Sequence, residues 1–273
     1  MRVVSTITLL AFLSVLCLVT CNYEEGVQAS FVTVEDSNFY LNGKKYFFVG
    51  TNYWYGMNLG APQSGNLGRL QRELDDLKNI GVTNLRIMGS TQGPDDKSRR
   101  IVPSLEYEKG KYNEDIWEGL DTFLNEMRKR NMKAVVTLSN FWEWSGGFGQ
   151  INEWYKGSFN RYPTSFYGDD DLTNHLKEFI SVIVNRTNTV NGVKYNNDPT
   201  IMAWQLANEP RAGNCDTWTK WVNDTSTYIK ELAPKQLVSI GNEGTITGCS
   251  GHGNKVKNID YITFHAWAQN WGW

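Results

Sequence analysis

The sequence predicts an α/β fold, a (β/α)8 barrel of which about six β/α units lie within its 273 residues. Three observations carry that expectation. Apolar runs of strand length alternate with stretches of helical periodicity, the pattern of βαβ units and a parallel sheet. Residues 201–207 (Ile-Met-Ala-Trp-Gln-Leu-Ala) read as a buried strand that stops at Asn208-Glu209-Pro210, where proline cannot continue a ladder. A carboxylate is thereby set at the carboxyl end of a strand, where such barrels keep their reactive groups. Third, an open sheet of this kind would normally carry a Gly-rich phosphate loop, and no such fingerprint is present.

The elements follow in order. Two apolar runs around Asn42-Gly43 predict a hairpin over 39–48 with a type I′ turn, its second arm continuing through 49–52 as the first strand of the body. Leu67, Leu70, Leu74, Leu77 and Ile80 recur at helical spacing, with Gly81 as the stop. A strand at 82–88 follows, then a helix marked by Trp117, Leu120, Phe123, Leu124 and Met127 with Asn113 as its cap, and a strand at 134–138. The stretch holding Trp142, Trp144, Trp154 and Tyr155 among Gly146, Gly147 and Gly149 reads as a long loop. A helix near 172–185, the Asn-Glu-Pro strand, a helix near 217–232, a fifth strand at 237–240 and a sixth at 261–265 complete the pass.

At 40% apolar and 21% charged residues the chain can bury a full core, and with no repeat or linker residues 31–273 read as one domain. A net charge of -2 gives no electrostatic case for nucleic acid or for an acidic membrane surface. His175, His252 and His265 are scattered without ligand spacing, so no metal site is expected, and no cofactor motif appears. Eleven Trp, 13 Tyr and 12 Phe are many for this length; such rings are core material first, but they also stack on sugar faces.

Residues 1–21 read as a targeting segment. Arg2 precedes the apolar stretch 7–19, whose 13 residues are too few for a membrane helix and suit a signal peptide. Leu18-Val19-Thr20-Cys21 is similar to a lipobox with Cys21 as a lipid anchor, although Thr20 sits where a smaller residue is usual; a conventional cleavage nearby is the rival. Either way the protein is expected to be secreted or extracytoplasmic. Cys215 and Cys249 could then form one disulfide, or remain free thiols. Asn185-Arg186-Thr187 and Asn223-Asp224-Thr225 are glycosylation sequons if the source is eukaryotic.

Polar and aromatic residues recur at the predicted strand ends: Asn52 and Trp54, Arg86, Asn140 and Trp142, Asn208 and Glu209, Glu243, His265 and Trp267. In a barrel they would share one mouth. Burial beside apolar and aromatic neighbours is expected to raise the Glu209 pKa toward neutrality, as a general acid requires.

The segments Gly50-Thr51-Asn52-Tyr53-Trp54, Asn84-Leu85-Arg86, residues 140–147 (Asn-Phe-Trp-Glu-Trp-Ser-Gly-Gly), residues 204–211 (Trp-Gln-Leu-Ala-Asn-Glu-Pro-Arg) and Phe264-His265-Ala266-Trp267 resemble the endo-β-1,4-mannanases of glycoside hydrolase family 5. The resemblance implies retaining hydrolysis of β-1,4-mannosidic linkages in mannan-type polysaccharides, with Glu209 as acid/base. Asn208 would bond the sugar 2-hydroxyl, and Arg86 would keep the nucleophile ionised. His265 would line the site, and Trp142, Trp267 and Trp54 are candidate sugar contacts. Where many relatives carry a Tyr two residues after this His, the chain has Trp267, read as a subgroup mark. The family's nucleophile Glu follows strand seven, so it is expected beyond Trp273, and the 273 residues are expected to be an inactive piece of a longer hydrolase. Glu243 would belong to the supporting shell; Glu143 reads as a rim residue, and Glu153 and Asp260 as surface carboxylates. The alternatives are a β-1,4-glucanase of the same clan and a non-catalytic sugar-binding relative.

Overall fold

The computed structural model describes residues 30–96, 101–244 and 249–272. The signal-like stretch 1–21, with Cys21, lies outside them.

The chain opens with β1 (Thr33–Glu35), β2 (Asn38–Leu41) and β3 (Lys44–Lys45), an antiparallel sheet in the order β1-β2-β3. Asn42 and Gly43 turn β2 into β3 with φ of 53° and 71°, the left-handed pair that a type I′ turn needs. The strands of the body follow as β4 (Val49–Asn52), β5 (Val82–Met88), β8 (Lys133–Thr137), β9 (Ile201–Gln205) and β10 (Leu237–Ser239). They form one parallel sheet in the order β10-β9-β8-β5-β4, so each new strand adds beside the last. The short hairpin β6 (Glu106–Glu108) and β7 (Lys111–Tyr112) stands between β5 and β8. The helices are α1 (Gly56–Gly60), α2 (Leu67–Asn79), α3 (Glu114–Lys129), α4 (Gly147–Lys156), α5 (Asp170–Val184), α6 (Cys215–Leu232), α7 (Ser250–Gly253) and α8 (Ala268–Trp271). Long parallel crossovers made by helices give part of a (β/α)8 barrel, as the alternation of periods predicts.

Each long helix starts where its sequence places a cap. Asn66, Asn113, Asp169 and Asn214 accept hydrogen bonds from the first free amides of α2, α3, α5 and α6. The main core fills the space between helices and sheet, around Trp117, Phe123, Phe179, Trp204 and Trp218. A second cluster sits on the inner side of the sheet, where Val135, Met202, Ala203 and Leu237 meet Phe39, Leu41 and Tyr46 of the opening hairpin.

A bulge in β9 sets which side chains face the interior. Ala134 pairs with Ile201 but Val135 pairs with Ala203, so Met202 is left over. Beyond it Trp204 points outward, its Nε1 donating to Gln236 Oε1 at 2.7 Å, while Gln205 points inward. The strand ends at Gln205, short of the 201–207 expected, and Asn208 adds only an isolated bridge to Asn140 before Pro210.

Three expectations change. The aromatic loop after β8 folds back into α4, because Ile151, Trp154 and Tyr155 fall on the helix and its glycines are held by contact rather than left free. A Cβ on Gly147 would lie 2.0 Å from Asn140 O, and one on Gly149 would lie 2.5 Å from Asn160 O. The sixth strand at 261–265 forms no ladder. Among the described residues its backbone, with that of the preceding Asp260, meets β10's surroundings through Asp260 N to Val238 O and His265 N to Glu243 O, while Thr263 Oγ1 donates to the Asn242 carbonyl. The arm after the hairpin turn also breaks, β3 and β4 lying in different sheets. Cys215 and Cys249 are joined by a disulfide that ties the start of α6 to the start of α7.

Candidate active site

The carboxyl ends of β4, β5, β8 and β9 open into a cleft of about 870 Å³. The seven candidate catalytic and sugar-contact residues line it, Trp54, Arg86, Trp142, Asn208, Glu209, His265 and Trp267, as does Asn52; of the strand-end residues expected to share the mouth, Asn140 and Glu243 do not.

Glu209 stands one step past the buried Ala207 and Asn208, held in the left-handed region at φ 50°, a costly conformation for a residue with a Cβ. Backbone bonds enforce it. Asn208 N donates to Ser139 O at 2.8 Å and Glu209 N to Gly241 O at 2.9 Å, on either side of β9. The carboxylate is gripped at both oxygens: Trp142 Nε1 donates to Oε2 at 2.6 Å, and His265 Nδ1 lies 2.5 Å from Oε1. Burial pushes the Glu209 carboxyl up, but the bonds from His265 and Trp142 and the charges of His265 and Arg86 outweigh it and hold the group below the usual carboxylate value. The expected upward shift is thus reversed, because the residues that surround Glu209 are donors and cations rather than inert rings.

Beneath it lies a polar lattice. Arg86, on the inner face of β5, donates from Nε to Gln205 Oε1 at 2.7 Å and from Nη2 to Asn208 Oδ1 at 2.9 Å. Burial lowers the Arg86 pKa, with Glu209 and Tyr261 opposing. Asn208 Nδ2 donates in turn to Asn140 Oδ1 at 3.0 Å, and the same oxygen accepts Trp142 N at 3.0 Å. The chain of bonds therefore links the acid to its neighbour asparagine, the buried arginine and the Trp142 loop. Asparagine amides and a locked arginine leave no freedom for these groups to turn away from a ligand.

Residues 29–273 match the family described as GH family 5 beta-mannosidase-like. The chain belongs to that family. It is 30% identical over 281 residues to mannan endo-1,4-beta-mannosidase 1 of Solanum lycopersicum, covering 95% of this chain and 68% of the relative. Mannan endo-1,4-beta-mannosidase 7 of Arabidopsis thaliana is 28% identical, with 97% and 65% covered. Among solved structures, the glycoside hydrolase family 5 mannosidase of Rhizomucor miehei superposes with a TM-score of 0.83 at 40% identity, covering 90% of this chain and 64% of that one. The endo-1,4-beta-mannanase of the same fungus gives 0.74 at 28%, covering 89% and 73%. The chain thus spans roughly two thirds of the length of these relatives.

Against this family background, two residues that line the cleft, Gln205 and Trp144, and one beside it, Arg211, were not among the candidates drawn from the sequence. Gln205 anchors Arg86, yet in sequence it is one polar residue inside an apolar strand; its inward position follows only from the bulge at Met202. Arg211 holds Glu243 with two bonds of 2.7 and 2.8 Å and lies 4.8 Å over the Trp142 ring. Glu243 is accordingly a partner of Arg211, not a free carboxylate. Trp144 lines the cleft edge-on to Trp54 at 6.1 Å between centroids. Among the described residues no group of three or more His, Cys, Asp or Glu could hold a metal ion.

Proposed function

We propose that this chain carries the acid/base half of an active site that cleaves β-1,4-mannosidic linkages inside mannan-type polysaccharides. What supports this reading above all is Glu209, clamped between Trp142 and His265 and flanked by Asn208 and Arg86 in an aromatic-walled cleft at the strand ends. The names of the plant relatives and the fungal structures point the same way, and one variant of the Rhizomucor miehei mannosidase was solved in complex with mannosyl-fructose.

The mechanism proposed is a retaining double displacement. Glu209 protonates the leaving glycosidic oxygen and later activates water, while a second carboxylate about 5–5.5 Å away attacks the anomeric carbon. Glu209 is the one carboxylate lining the cleft among the described residues, so the nucleophile is proposed to come from outside them. The described residues hold Glu209 below the usual carboxylate value, and the negative charge of a neighbouring nucleophile would oppose that shift, as the acid role requires. Arg86, desolvated and fixed by Gln205 and Asn208, would keep the nucleophile ionised. Asn208 would bond the sugar 2-hydroxyl, and Trp54, Trp142 and Trp267 would stack on sugar rings. His265 would hold Glu209 in position. The residues 1–21 would direct export, with or without a lipid on Cys21; among the described residues no helix is long and apolar enough to cross a membrane.

The test is hydrolysis by the polypeptide of the longest reading frame at this locus, on mannan, short β-mannosides and β-1,4-glucan. Reducing ends released from mannan alone, with a loss of about 10²–10⁴-fold in Glu209→Gln, are the expected result. Cleavage of glucan in preference, or full activity of the variant, would sink the proposal. The 40% identity to a mannosidase favours a second reading, in which single mannose units are removed from chain ends; product lengths separate the two. The 273 residues by themselves are expected to release no reducing ends.

A further inference from the structure

We propose that Asn185 is a site of N-linked glycosylation, on the side of the molecule opposite the cleft. The inference does not rest on the hydrolase reading; it rests on export of the chain through a eukaryotic secretory route. Two Asn-x-Thr sequons occur, at Asn185 and Asn223, and the fold treats them differently. Asn185 is the exposed C-cap residue of α5, where the chain leaves the helix. Thr187, the residue that completes the sequon, is exposed and sits in extended backbone that pairs with Lys194. Asn223 lies in the middle of α6, and its Thr225 is fully buried among the core. Asn223 is itself exposed, but once α6 forms its sequon is wound into the helix with Thr225 in the core, whereas the sequon of Asn185 stays in an open surface turn. That helix is also fastened at its first residue by the Cys215–Cys249 disulfide.

The position suits a bulky glycan. Helices run antiparallel to the strands of this sheet, so the end of α5 lies at the amino-terminal end of the strands, away from Glu209 and the aromatic mouth. Val182, one helical turn before Asn185 on the same face, is 41% exposed, and Val190 beyond the turn is 52% exposed. A first sugar at Asn185 would cover apolar surface that the protein itself leaves open. The disulfide is consistent with passage through an oxidising secretory compartment, where this modification takes place.

The chemistry balances with a lipid-linked oligosaccharide diphosphate as donor. Asn185 Nδ2 bonds to the anomeric carbon of N-acetylglucosamine as the bond from that carbon to the diphosphate oxygen breaks; the leaving diphosphate keeps the electron pair, and the proton released from Nδ2 passes to it through a base of the transferring enzyme. The amide has two N–H groups, and in the structure Nδ2 donates to Ser181 O at 2.9 Å. The N–H that remains after transfer can keep this bond, and Oδ1 still accepts from Asn196 Nδ2 at 3.3 Å. The cap of α5 therefore survives modification.

The experiment is cell-free translation of residues 1–273 with microsomal membranes, read as a gel shift that peptide-N-glycosidase removes, so that it does not depend on yield of secreted protein. The expected result is a shift of one glycan in the parent chain, lost in Asn185→Gln and in Thr187→Ala, restored in Thr187→Ser and retained in Asn223→Gln. Absence of any shift, its persistence in Asn185→Gln, or its loss in Asn223→Gln would each overturn the proposal.

Discussion

A carboxylate held on both oxygens by donors is a pH-dependent contributor to stability. Glu209 has a folded pKa below its unfolded value of about 4.3, so it stabilises the native state above that value and the contribution fades as pH falls through the folded pKa. Denaturant midpoints of the parent and Glu209→Gln are expected to differ at neutral pH and to converge on acidification; curves that stay parallel down to acid would refute the assignment. Trp142→Phe removes the 2.6 Å donor while keeping a ring, so the Glu209 pKa is expected to rise, which carboxyl chemical shifts can follow. Gly241 presents the sharpest backbone constraint. It has φ 84°, and a Cβ there would lie 2.0 Å from Ala207 O. Gly241→Ala is expected to cost roughly 2 kcal/mol or more in urea unfolding, since the strain falls on the loop that bonds Glu209 N. Asn208, Glu209 and His265 were readable as candidates because their residue types and places after apolar runs are local facts. Gln205 and Arg211 were not, because what they touch comes from other strands.

At the scale of elements, caps and the disulfide are the separable terms. Asn113→Ala, which deletes the α3 cap, is expected to cost about 1 kcal/mol. The bond between Cys215 and Cys249 spans a sequence separation of 34, for which loop closure predicts a stabilisation of roughly 3–4 kcal/mol. Cys215→Ser should therefore lower the denaturation midpoint well beyond the cap deletion, and reduction of the parent should reproduce it; a change under 1 kcal/mol would mean that the unfolded chain is already constrained there. The start of α3 was legible because Asn113 before an apolar periodicity is a local signal; Asn66, Asp169 and Asn214 cap α2, α5 and α6 in the same way but were not singled out. α4 was not legible, since three glycines mask a helix that tertiary contacts stabilise against propensity.

At the scale of the molecule, the sheet ends in β4 on one side and β10 on the other. Apolar side chains stand out near both edges: Val49 is 64% exposed on β4, and Phe264 is 78% exposed in the segment beside β10. Edges and apolar surface of this kind favour association. The 273-residue chain expressed by itself is expected to form soluble oligomers or precipitate as its concentration rises, and Val49→Lys should shift light scattering toward monomer. A parent that stays monomeric at all concentrations would contradict this.

Composition, period and punctuation determined the alternation of strands and helices, the parallel sheet, the cap at Asn113 and the placing of Glu209 past the end of a buried strand. All of these are signalled by patterns within a few residues of chain. The tertiary structure alone decided the rest. The Met202 bulge turned Gln205 inward to Arg86, neighbouring strands forced Glu209 into a left-handed backbone, and His265, Trp142 and Arg86 converged to lower its pKa where burial alone would raise it. Each of those outcomes depends on groups more than 30 residues apart in sequence meeting in a low-dielectric cleft, where pairwise hydrogen bonds and charges outweigh the solvation preference of any single side chain.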